Sequence, residues 1–459
     1  MSSMVLLLLS GVGLLVSFSE SMLIPALPTI QLQYEASAAA ASWIPAIYLL
    51  VGAVSVPLLG KWGDTYGKKR LLMIVMAAYS GAVVLDGFSW DLASLLAFRA
   101  VQGLGLAMFP LAISLIHDEM EAARVPVSIG VLTSMNGVGS AIGLILGAWI
   151  TENYGWQTNY HVLAPFAVLL TVILWFAVRE STQRHAERID YVGISFLGAS
   201  VALLLVAVTE GGTLGWTSAT TLTLVVFGLG FALALIVAER RSARPLFQLK
   251  APGFANILKV DFAMFVAGAV MFLGFYVAIY FAQEPTVGLG RDVAQAGLVL
   301  APAAILMLVF APLGGRIAQR FGEKPVELLG FLLVVAGFVS LIFLHKTAFG
   351  LGLDMVVLFA GVAFLLTALS ISVLALAPAN DVGSEIGLNT SFRTIGQALG
   401  VAVAGACLTA YVIPGTSLPS DTAYYLTALT GIGLAVLGAL LVLTLPHLPV
   451  GNKTAADTA

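Results

Sequence analysis

The chain has 459 residues, of which 59% are hydrophobic and only 10% are charged, and its formal net charge is −3. Soluble domains carry about 25% charged residues, so this composition is typical of a protein whose surroundings are mostly lipid. No basic tract suggests a nucleic-acid partner. The single cysteine, Cys407, excludes a disulfide framework and a cysteine-based metal site, and we interpret it as a small packing residue.

The N-terminal segment MSSMVLLLLSGVGLL has no basic residue before its apolar run and no clear cleavage site. We therefore interpret it as an uncleaved first membrane helix and not as a signal peptide. A spanning helix needs about 20 apolar residues, and charged, proline-rich and glycine-rich breaks divide the chain into fourteen such runs. They cover residues 4–27, 40–60, 70–88, 92–116, 125–150, 160–178, 190–209, 220–238, 256–282, 293–315, 326–344, 352–377, 388–412 and 423–446.

Lysine and arginine predict the orientation of these runs, because cytoplasmic loops are enriched in both residues. With the N-terminus inside, the outside loops hold only Arg291 and Lys346. An even number of runs also places the C-terminus inside. We therefore expect a multi-pass plasma-membrane protein with both termini in the cytoplasm. The residues of the inside loops are Lys61, Lys68, Lys69, Arg70, Arg124, Arg179, Arg184, Arg188, Arg240, Arg241, Arg244, Lys250, Arg316, Arg320 and Lys324.

Two inside loops are copies of each other. GKWGDTYGKKR (60–70) aligns with GRIAQRFGEKP (315–325) at a spacing of 255 residues, which matches Gly67 with Gly322 and Lys69 with Lys324. Six helices with short loops occupy roughly 200 residues, and the hairpin predicted over 189–239 accounts for the excess. The predicted domains are a six-helix bundle (1–180), an inserted hairpin with its flanking loops (181–250) and a second bundle (251–459). Repeated halves with a substrate site between them are typical of secondary transporters.

Several segments carry a family resemblance. Residues 60–70 resemble the cytoplasmic signature of the major facilitator superfamily, and LLAFRAVQGLGLAMF (95–109) resembles its fourth-helix motif R-x-x-Q-G-x-G-x-A. GVLTSMNGVGSAIGLILGA (130–148) resembles the antiporter motif of the fifth helix. Residues 190–216 and 393–405 resemble the fourteen-helix drug:proton antiporter family. The resemblance implies an all-α integral membrane protein with two pseudo-symmetric six-helix bundles, an inserted hairpin and fourteen transmembrane helices.

The chain departs from the family pattern at two places. The antiporter motif has proline and glycine where this chain has Leu144 and Ala148. The acidic position of the first-helix motif aligns with Ser19, whereas the acid here is Glu20. One residue turns a side chain by about 100° around a helix, so the direction of Glu20 is the point on which a proton mechanism depends.

Glu20 stands alone as an ionisable residue in LLVSFSESMLIPALPTI (14–30). A helix that begins near Val5 places it about 22 Å along its axis, inside a hydrocarbon core about 30 Å thick. A charge at the bilayer centre costs about 2.5–3.5 kcal/mol, and an aqueous cavity or protonation avoids much of that cost. We predict that Glu20 faces the cavity and exchanges protons. The alternative is a glutamate at the outer interface, where the helix ends near Pro25.

Arg99 is the second residue predicted to take part in proton coupling. It stays charged when buried, and Gln102 and Gly103 lie on the same helical face. We expect it to control proton access or to pair with substrate or Glu20. The alternative is a structural arginine that binds carbonyl groups near a helix break.

A conformational gate is predicted around the first cytoplasmic signature and the glycine motifs. The resemblance implies that Asp64 holds the two halves together on the cytoplasmic side, as an acid near a helix N-terminus does. The helix that starts near Gly383 is its candidate partner, and a solvated turn residue is the alternative. Glycines four residues apart in the fifth run favour close helix packing. The gate residues are Gly60, Asp64, Gly67, Lys68, Lys69, Gln102, Gly103, Gly139, Gly143 and Gly147.

Polar and aromatic side chains at helical spacing are predicted to line the substrate cavity. The aromatic residues suit planar or cationic ligands, with packing or lipid contact as the alternative. Arg393 is expected to line the cavity or to face the inside, and Asp261 to pair with Lys259 or water. The cavity residues are Asn136, Ser140, Phe265, Phe272, Tyr276, Tyr280, Gln283, Asn389, Arg393 and Gln397.

The sequence has no phosphate-binding loop, no H-E-x-x-H motif and no appended soluble domain. The leading hypothesis is therefore a secondary active transporter that exports amphipathic or cationic organic compounds in exchange for protons. It is expected to act as a monomer in the bilayer, without cofactor, metal, nucleotide or nucleic acid. The alternative is a proton-coupled symporter or a facilitator of a small metabolite. A sensor would need an output domain and an enzyme a nucleophile or metal cluster, so neither is expected.

Overall fold

The computed structural model describes residues 2–119, 125–178, 180, 191–241, 254–344, 346–376, 382–416 and 418–446. Within these ranges the side chains of residues 2–3, 61, 64, 117–119, 125–127, 129–130, 133–134, 136, 344 and 382–384 are not described. The described residues form sixteen α-helices and one short 3-10 helix. Their only isolated β-bridge joins Val412 and Pro419.

The first nine helical elements lie before residue 178. They are α1 (Ser2–Ser21), α2 (Leu27–Gln33), α3 (Ala38–Tyr66), α4 (Lys68–Asp86), α5 (Leu92–Gly103), the 3-10 helix η1 (Leu104–Ala107), α6 (Met108–Glu119), α7 (Val125–Tyr154) and α8 (Gln157–Ala177).

The remaining helices follow residue 190. They are α9 (Tyr191–Leu214), α10 (Ala219–Arg241), α11 (Phe254–Gln283), α12 (Val293–Phe321), α13 (Glu323–Leu344), α14 (Ala348–Leu376), α15 (Val382–Ala410) and α16 (Asp421–Leu443).

Twelve helical stretches among the described residues are long and apolar enough to cross a membrane, as expected of a multi-pass membrane protein. One of them, Leu92–Ile116, runs through α5, η1 and α6. Helices α4 and α7 coincide with the third and fifth predicted runs but are not among the twelve. The count of fourteen spans therefore stays a prediction.

Two predicted runs are interrupted. The first run was predicted to continue to residue 27, but α1 ends at Ser21 and α2 begins only at Leu27. Proline is the physical reason, because the ring of Pro25 would clash with the carbonyl group of Ser21 in a continuous helix. The run over 92–116 tightens into η1 directly after Gly103.

Helix boundaries repeat at the spacing of the two cytoplasmic signatures. Helices α3 and α12 both have 29 residues, and their first residues, like their last, are 255 positions apart. Each ends at a glycine with positive φ, at +112° for Gly67 and +88° for Gly322. Glycine adopts this conformation without the steric cost that a side chain brings. The repeat therefore extends from the sequence to the helix–turn–helix geometry.

The segments before residue 178 and after residue 254 meet at one end of the bundle. The backbone N–H of Ala39 donates to Thr409 Oγ1 at 3.1 Å, and that of Val293 donates to Glu152 Oε2 at 2.9 Å. Thr409, near the end of α15, thus accepts a hydrogen bond from the first turn of α3, and Glu152, near the end of α7, accepts one from the first turn of α12. The N–H groups of a first helical turn lack intrahelical partners. We call this end, defined by these two hydrogen bonds, the closed end.

The hairpin of α9 and α10 lies against the same assembly. Ser200 Oγ on α9 donates to the carbonyl oxygen of Gly228 on α10 at 2.8 Å. Helix α9 also follows α3, because Trp43 Nε1 donates to Glu210 Oε1 at 3.3 Å and Trp62 Nε1 to the Tyr191 hydroxyl at 3.2 Å.

Helices α11 and α15 approach most closely where glycines face backbone. Helix α11 is the most buried of the twelve stretches. A β-carbon at Gly396 would overlap the carbonyl oxygen of Phe265, and one at Gly400 would overlap that of Ala269. The contact between these two helices therefore depends on the absence of side chains, as in other close membrane helix pairs.

We predict that Gly400→Ala destabilises the folded protein by about 1–3 kcal/mol, the usual cost of overpacking. Purified protein in detergent should unfold at a lower temperature than wild type. Gly387→Ala is the matched control, because it lies on the same helix and no atom of the described residues lies within 4 Å of its added methyl group. The control should unfold at the wild-type temperature or above, and equal losses in both variants would contradict the packing argument.

Candidate functional site

Glu20 lies deep among the helices, one residue before the end of α1, and keeps part of its surface accessible. Its carboxylate accepts no hydrogen bond among the described residues. The charges that act on it are those of Arg393 on α15 and then Arg99 on α5. Glu20 is therefore within electrostatic range of two arginines that come from opposite halves of the chain.

Arg99 is buried, and the groups that accept its hydrogen bonds are neutral. Its Nη1 donates to Gln102 Oε1 at 2.9 Å and to the carbonyl oxygen of Ser19 at 3.4 Å. Its Nε donates to the carbonyl oxygen of Ile44 at 3.4 Å, and its guanidinium lies 4.6 Å from the centre of the Tyr48 ring. Binding to carbonyl groups was the structural alternative predicted for Arg99, and the structure shows such contacts. Arg99 is also within electrostatic range of the acids Asp86 and Glu20.

Gln102 connects Arg99 to a carboxylate that the sequence analysis did not select. Its Nε2 donates to Oδ2 of Asp86, the last residue of α4, and the Asp86 side chain is fully buried. The Ser19 hydroxyl also donates to Gln102 Oε1, at 3.4 Å. Helices α1, α4 and α5 therefore share one buried polar network.

The polar stripe of α15 is partly engaged within the C-terminal half. Asn389 Nδ2 donates to Asp261 Oδ1 on α11 at 2.8 Å, and Gln397 is buried. The expected pairing of Asp261 with Lys259 is wrong, since Lys259 Nζ instead donates to the carbonyl oxygen of Thr444 at 3.3 Å. Arg393 is partly exposed, and its Nε has no hydrogen-bond partner among the described residues.

The aromatic stripe of α11 is largely buried. Tyr276 stacks on Tyr280 with their ring centres 4.7 Å apart and donates to the carbonyl oxygen of Ala38 at 2.7 Å. Gln283 Nε2 donates to the carbonyl oxygen of Pro25 at 2.7 Å. Phe272 is buried and Phe265 is partly buried. Tyr276 and Gln283, toward the end of α11, therefore contact the N-terminal half at the closed end and not lipid.

The glycines of α7 pack against α1. A β-carbon at Gly139 would lie 2.5 Å from the carbonyl oxygen of Leu14, and one at Gly147 would lie 2.7 Å from Cα of Met22. Gly143 faces Ser21, whose hydroxyl donates to the carbonyl oxygen of Ser140 at 3.0 Å.

Leu144 and Ala148, which depart from the antiporter motif, lie on another side of α7. Both face Gly297 of α12, and α7 continues without a break from residue 125 to residue 154. The side chain of Asn136 lies outside the described residues.

The gate residues of the first cytoplasmic signature lie around the start of α4. The N–H groups of Lys69 and Arg70 both donate to the Glu180 carboxylate at 3.0 Å, and Lys69 Nζ donates to the carbonyl oxygen of Trp175 at 2.8 Å. Lys68 is buried. The Glu180 carboxylate therefore caps the N-terminus of α4.

The other gate residues lie in different surroundings. The side chain of Asp64 and the start of α15 near Gly383 are outside the described side chains. No atom of the described residues lies within 4 Å of a β-carbon placed on Gly60. A β-carbon placed on Gly103 would lie 2.5 Å from the carbonyl oxygen of Tyr48.

Two acids were missed because their neighbours are distant in sequence. Asp86 is the last residue of an apolar run, a position where a charged side chain is usually exposed to solvent. Its burial becomes visible only in the packing of α4 against α5. Glu180 is more than a hundred residues from the helix that it caps. A buried Gln102 beside Arg99 was the available signal for an acid nearby.

The chain is similar to two proteins named as resistance proteins. It is 28% identical over 425 residues to the multidrug resistance protein Stp of Mycobacterium tuberculosis, covering 88% of this chain and 76% of that protein. It is 27% identical over 424 residues to the tetracenomycin C resistance and export protein of Streptomyces glaucescens, with the same shares covered.

The fold is shared with solved membrane transporters. A D-xylose-proton symporter superimposes with a TM-score of 0.69 at 14% identity, over 97% of this chain and 98% of that one. At that identity the likeness shows the fold alone. The sequence profile of the Major Facilitator Superfamily matches residues 9–238 and 264–458, and the chain belongs to this superfamily.

Proposed function

We propose that the chain is a secondary active transporter that exports amphipathic or cationic organic compounds in exchange for protons. The names of the two resistance proteins support the export of organic compounds. The observation that carries the proton coupling is that Glu20 keeps part of its surface accessible within electrostatic range of both Arg393 and Arg99.

Charge explains how this arrangement couples proton and substrate. An ionised Glu20 attracts Arg393 across the two halves, and a proton on Glu20 removes that attraction. The binding of a cationic substrate depends on the same protonation, because the cation is attracted to the ionised carboxylate and not to the protonated one. Proton and substrate therefore exclude each other at Glu20, which is the condition for exchange in alternating access.

The proposal includes the topology that the charge distribution predicts. It has fourteen spans, with α4 and α7 as the two beyond the twelve apolar stretches, and domains over 1–180, 181–250 and 251–459. Both termini lie in the cytoplasm, because lysine and arginine concentrate in the loops on that side. The closed end then faces outward, so the arrangement corresponds to a state with its outer side shut.

Asp64, Lys68, Lys69 and the glycines of α7 form the gate in this proposal. Tyr276, Tyr280 and Gln283 act where the outer side closes, since they contact Ala38 and Pro25 or lie beside residues that do. Outward opening requires these contacts to break together with the hydrogen bonds of the closed end.

A symporter or facilitator of a small metabolite is the second candidate. The unbroken α7 favours it, because Leu144 replaces the proline of the antiporter motif. The direction of proton movement separates the two functions. In vesicles, an antiporter moves protons against the organic compound and a symporter moves them with it.

We predict that Glu20→Gln abolishes transport driven by a proton gradient. In vesicles of purified protein, uptake of ethidium, a planar organic cation, should fall to the level of protein-free vesicles. The substitution removes the titratable carboxyl group on which the two arginines act and keeps its shape. Ethidium exchange at equal pH on both sides should weaken as well, because the neutral amide, like the protonated carboxyl group, does not attract the cation.

Glu35→Gln is the matched control for this experiment. Glu35 is an exposed glutamate in the turn after α2, so its loss should leave gradient-driven uptake at the wild-type level. Gradient-driven uptake that survives in Glu20→Gln would refute the role of Glu20.

We predict that Arg393→Gln moves the pH of half-maximal coupled transport upward by about one unit, the size expected for loss of one nearby opposite charge. Without the positive charge, a proton binds Glu20 at lower proton concentration. Arg393→Lys keeps the charge and should stay near the wild-type midpoint. An unchanged midpoint in Arg393→Gln would show that Arg393 does not act on Glu20.

A further inference from the structure

Asp86 is a buried carboxylate to which the proposed cycle gives no role. Its side chain has no exposed surface, and it ends α4 beside the turn to α5. Oδ2 accepts a hydrogen bond from Gln102, whereas Oδ1 has no partner among the described residues. Native structures rarely leave a buried polar atom without a partner, so this carboxylate calls for a physical reason.

The reason lies one step further along the same network. Arg99 is fully buried and cannot lose its proton, and a buried charge needs a compensating charge nearby. The groups that hydrogen-bond to its guanidinium are carbonyl oxygens and the Gln102 amide, none of which carries a charge. The anions within electrostatic range of Arg99 are Asp86 and Glu20.

Geometry separates these two anions. The Gln102 side chain accepts from Arg99 with its oxygen and donates to Asp86 with its nitrogen, so one amide dipole lies aligned between the cation and the acid. Such hydrogen-bond chains polarise one another in a low dielectric. Glu20 has no such link to Arg99, and the first charge that acts on it is Arg393.

We propose that Asp86 is the counter-ion of Arg99, connected to it through Gln102, and that this pairing leaves the Glu20 charge to Arg393 and to protons. Asp86 is then a positioning residue that sets the field at Glu20 without contacting substrate. The inference rests on the proposed function only for its consequence in transport, because the pairing itself is a property of the folded protein.

The charges of these two acids also act on tyrosines, and among the described residues the ring of His161 on α8 packs on Gly87, next to Asp86. Asp86 is within range of Tyr79 on α4, Tyr160 on α8 and Tyr34 after α2. Glu20 is within range of Tyr48 on α3 and Tyr79. Tyrosines are neutral at ordinary pH, so the two described acids and the described cations whose charges act on them are Asp86, Glu20, Arg99 and Arg393, two of each sign.

The proposal is tested with Asp86→Asn in the full chain. Arg99 would lose its counter-ion, and its whole charge would then favour the ionised form of Glu20. Infrared difference spectra resolve the carboxyl band that disappears in Glu20→Gln, and its pH titration follows the protonation of Glu20 without any substrate. The midpoint should move to lower pH by about one unit in Asp86→Asn and stay near wild type in Asp86→Glu.

A folded Asp86→Asn protein with an unchanged Glu20 midpoint would overturn the proposal. The double variant Asp86→Asn with Arg99→Gln removes one charge of each sign, so its midpoint should return to the wild-type value. A double variant that keeps the acidic shift of Asp86→Asn would also overturn the proposal, because the effect would then not pass through Arg99.

Folding gives a second readout that does not depend on transport. If Asp86→Asn alone fails to yield folded protein, the double variant should restore the yield and the unfolding temperature in detergent, because it leaves no unpaired charge. A double variant as unstable as the single one would refute the pairing. Absence of gradient-driven uptake in wild-type vesicles would refute proton-coupled export and would leave both of these readouts unaffected.

Discussion

The arrangement of this site depends on one constraint, which is that Arg99 keeps its charge although its side chain is buried. The surroundings satisfy that constraint in two ways. Carbonyl oxygens and the Gln102 amide take up the N–H groups of the guanidinium, and a buried carboxylate lies at the far side of that amide. Because an isolated charge is very costly in a low dielectric, the positions of α1, α4 and α5 are coupled through this one side chain.

The same constraint gives the two acids, Asp86 and Glu20, different roles. A carboxylate that compensates a permanent charge loses its purpose when it is protonated, so Asp86 is suited to a fixed role. Glu20 accepts no hydrogen bond from the described residues, and the first charge that acts on it is Arg393 of the opposite half, whose helix moves relative to α1 in the proposed cycle. A charge pair between moving parts responds to protonation, whereas a pair inside one bundle holds that bundle rigid.

Local patterns in the sequence were sufficient for much of this structure. Apolar runs between charged loops predict the helices, glycines four residues apart predict the surface of α7 that meets α1, and a lone acid in an apolar run points to Glu20. Contacts between distant segments were not predictable in this way. Asp261 has Lys259 two residues away in sequence, yet its partner is Asn389, since a helix turns i and i+2 to different faces.

The two halves of the repeat share backbone geometry more closely than they share buried charges. At the spacing of 255 residues that relates α3 to α12, the position equivalent to Arg99 is Asp354, and both side chains are buried. Asp354 accepts a hydrogen bond from Ser340, and the position equivalent to Asp86 is Leu341. The two halves therefore share helix boundaries and helical turns but bury opposite charges at equivalent positions. A proton taken up between such halves meets different fields on its two sides, so a symmetric fold supplies an asymmetric site.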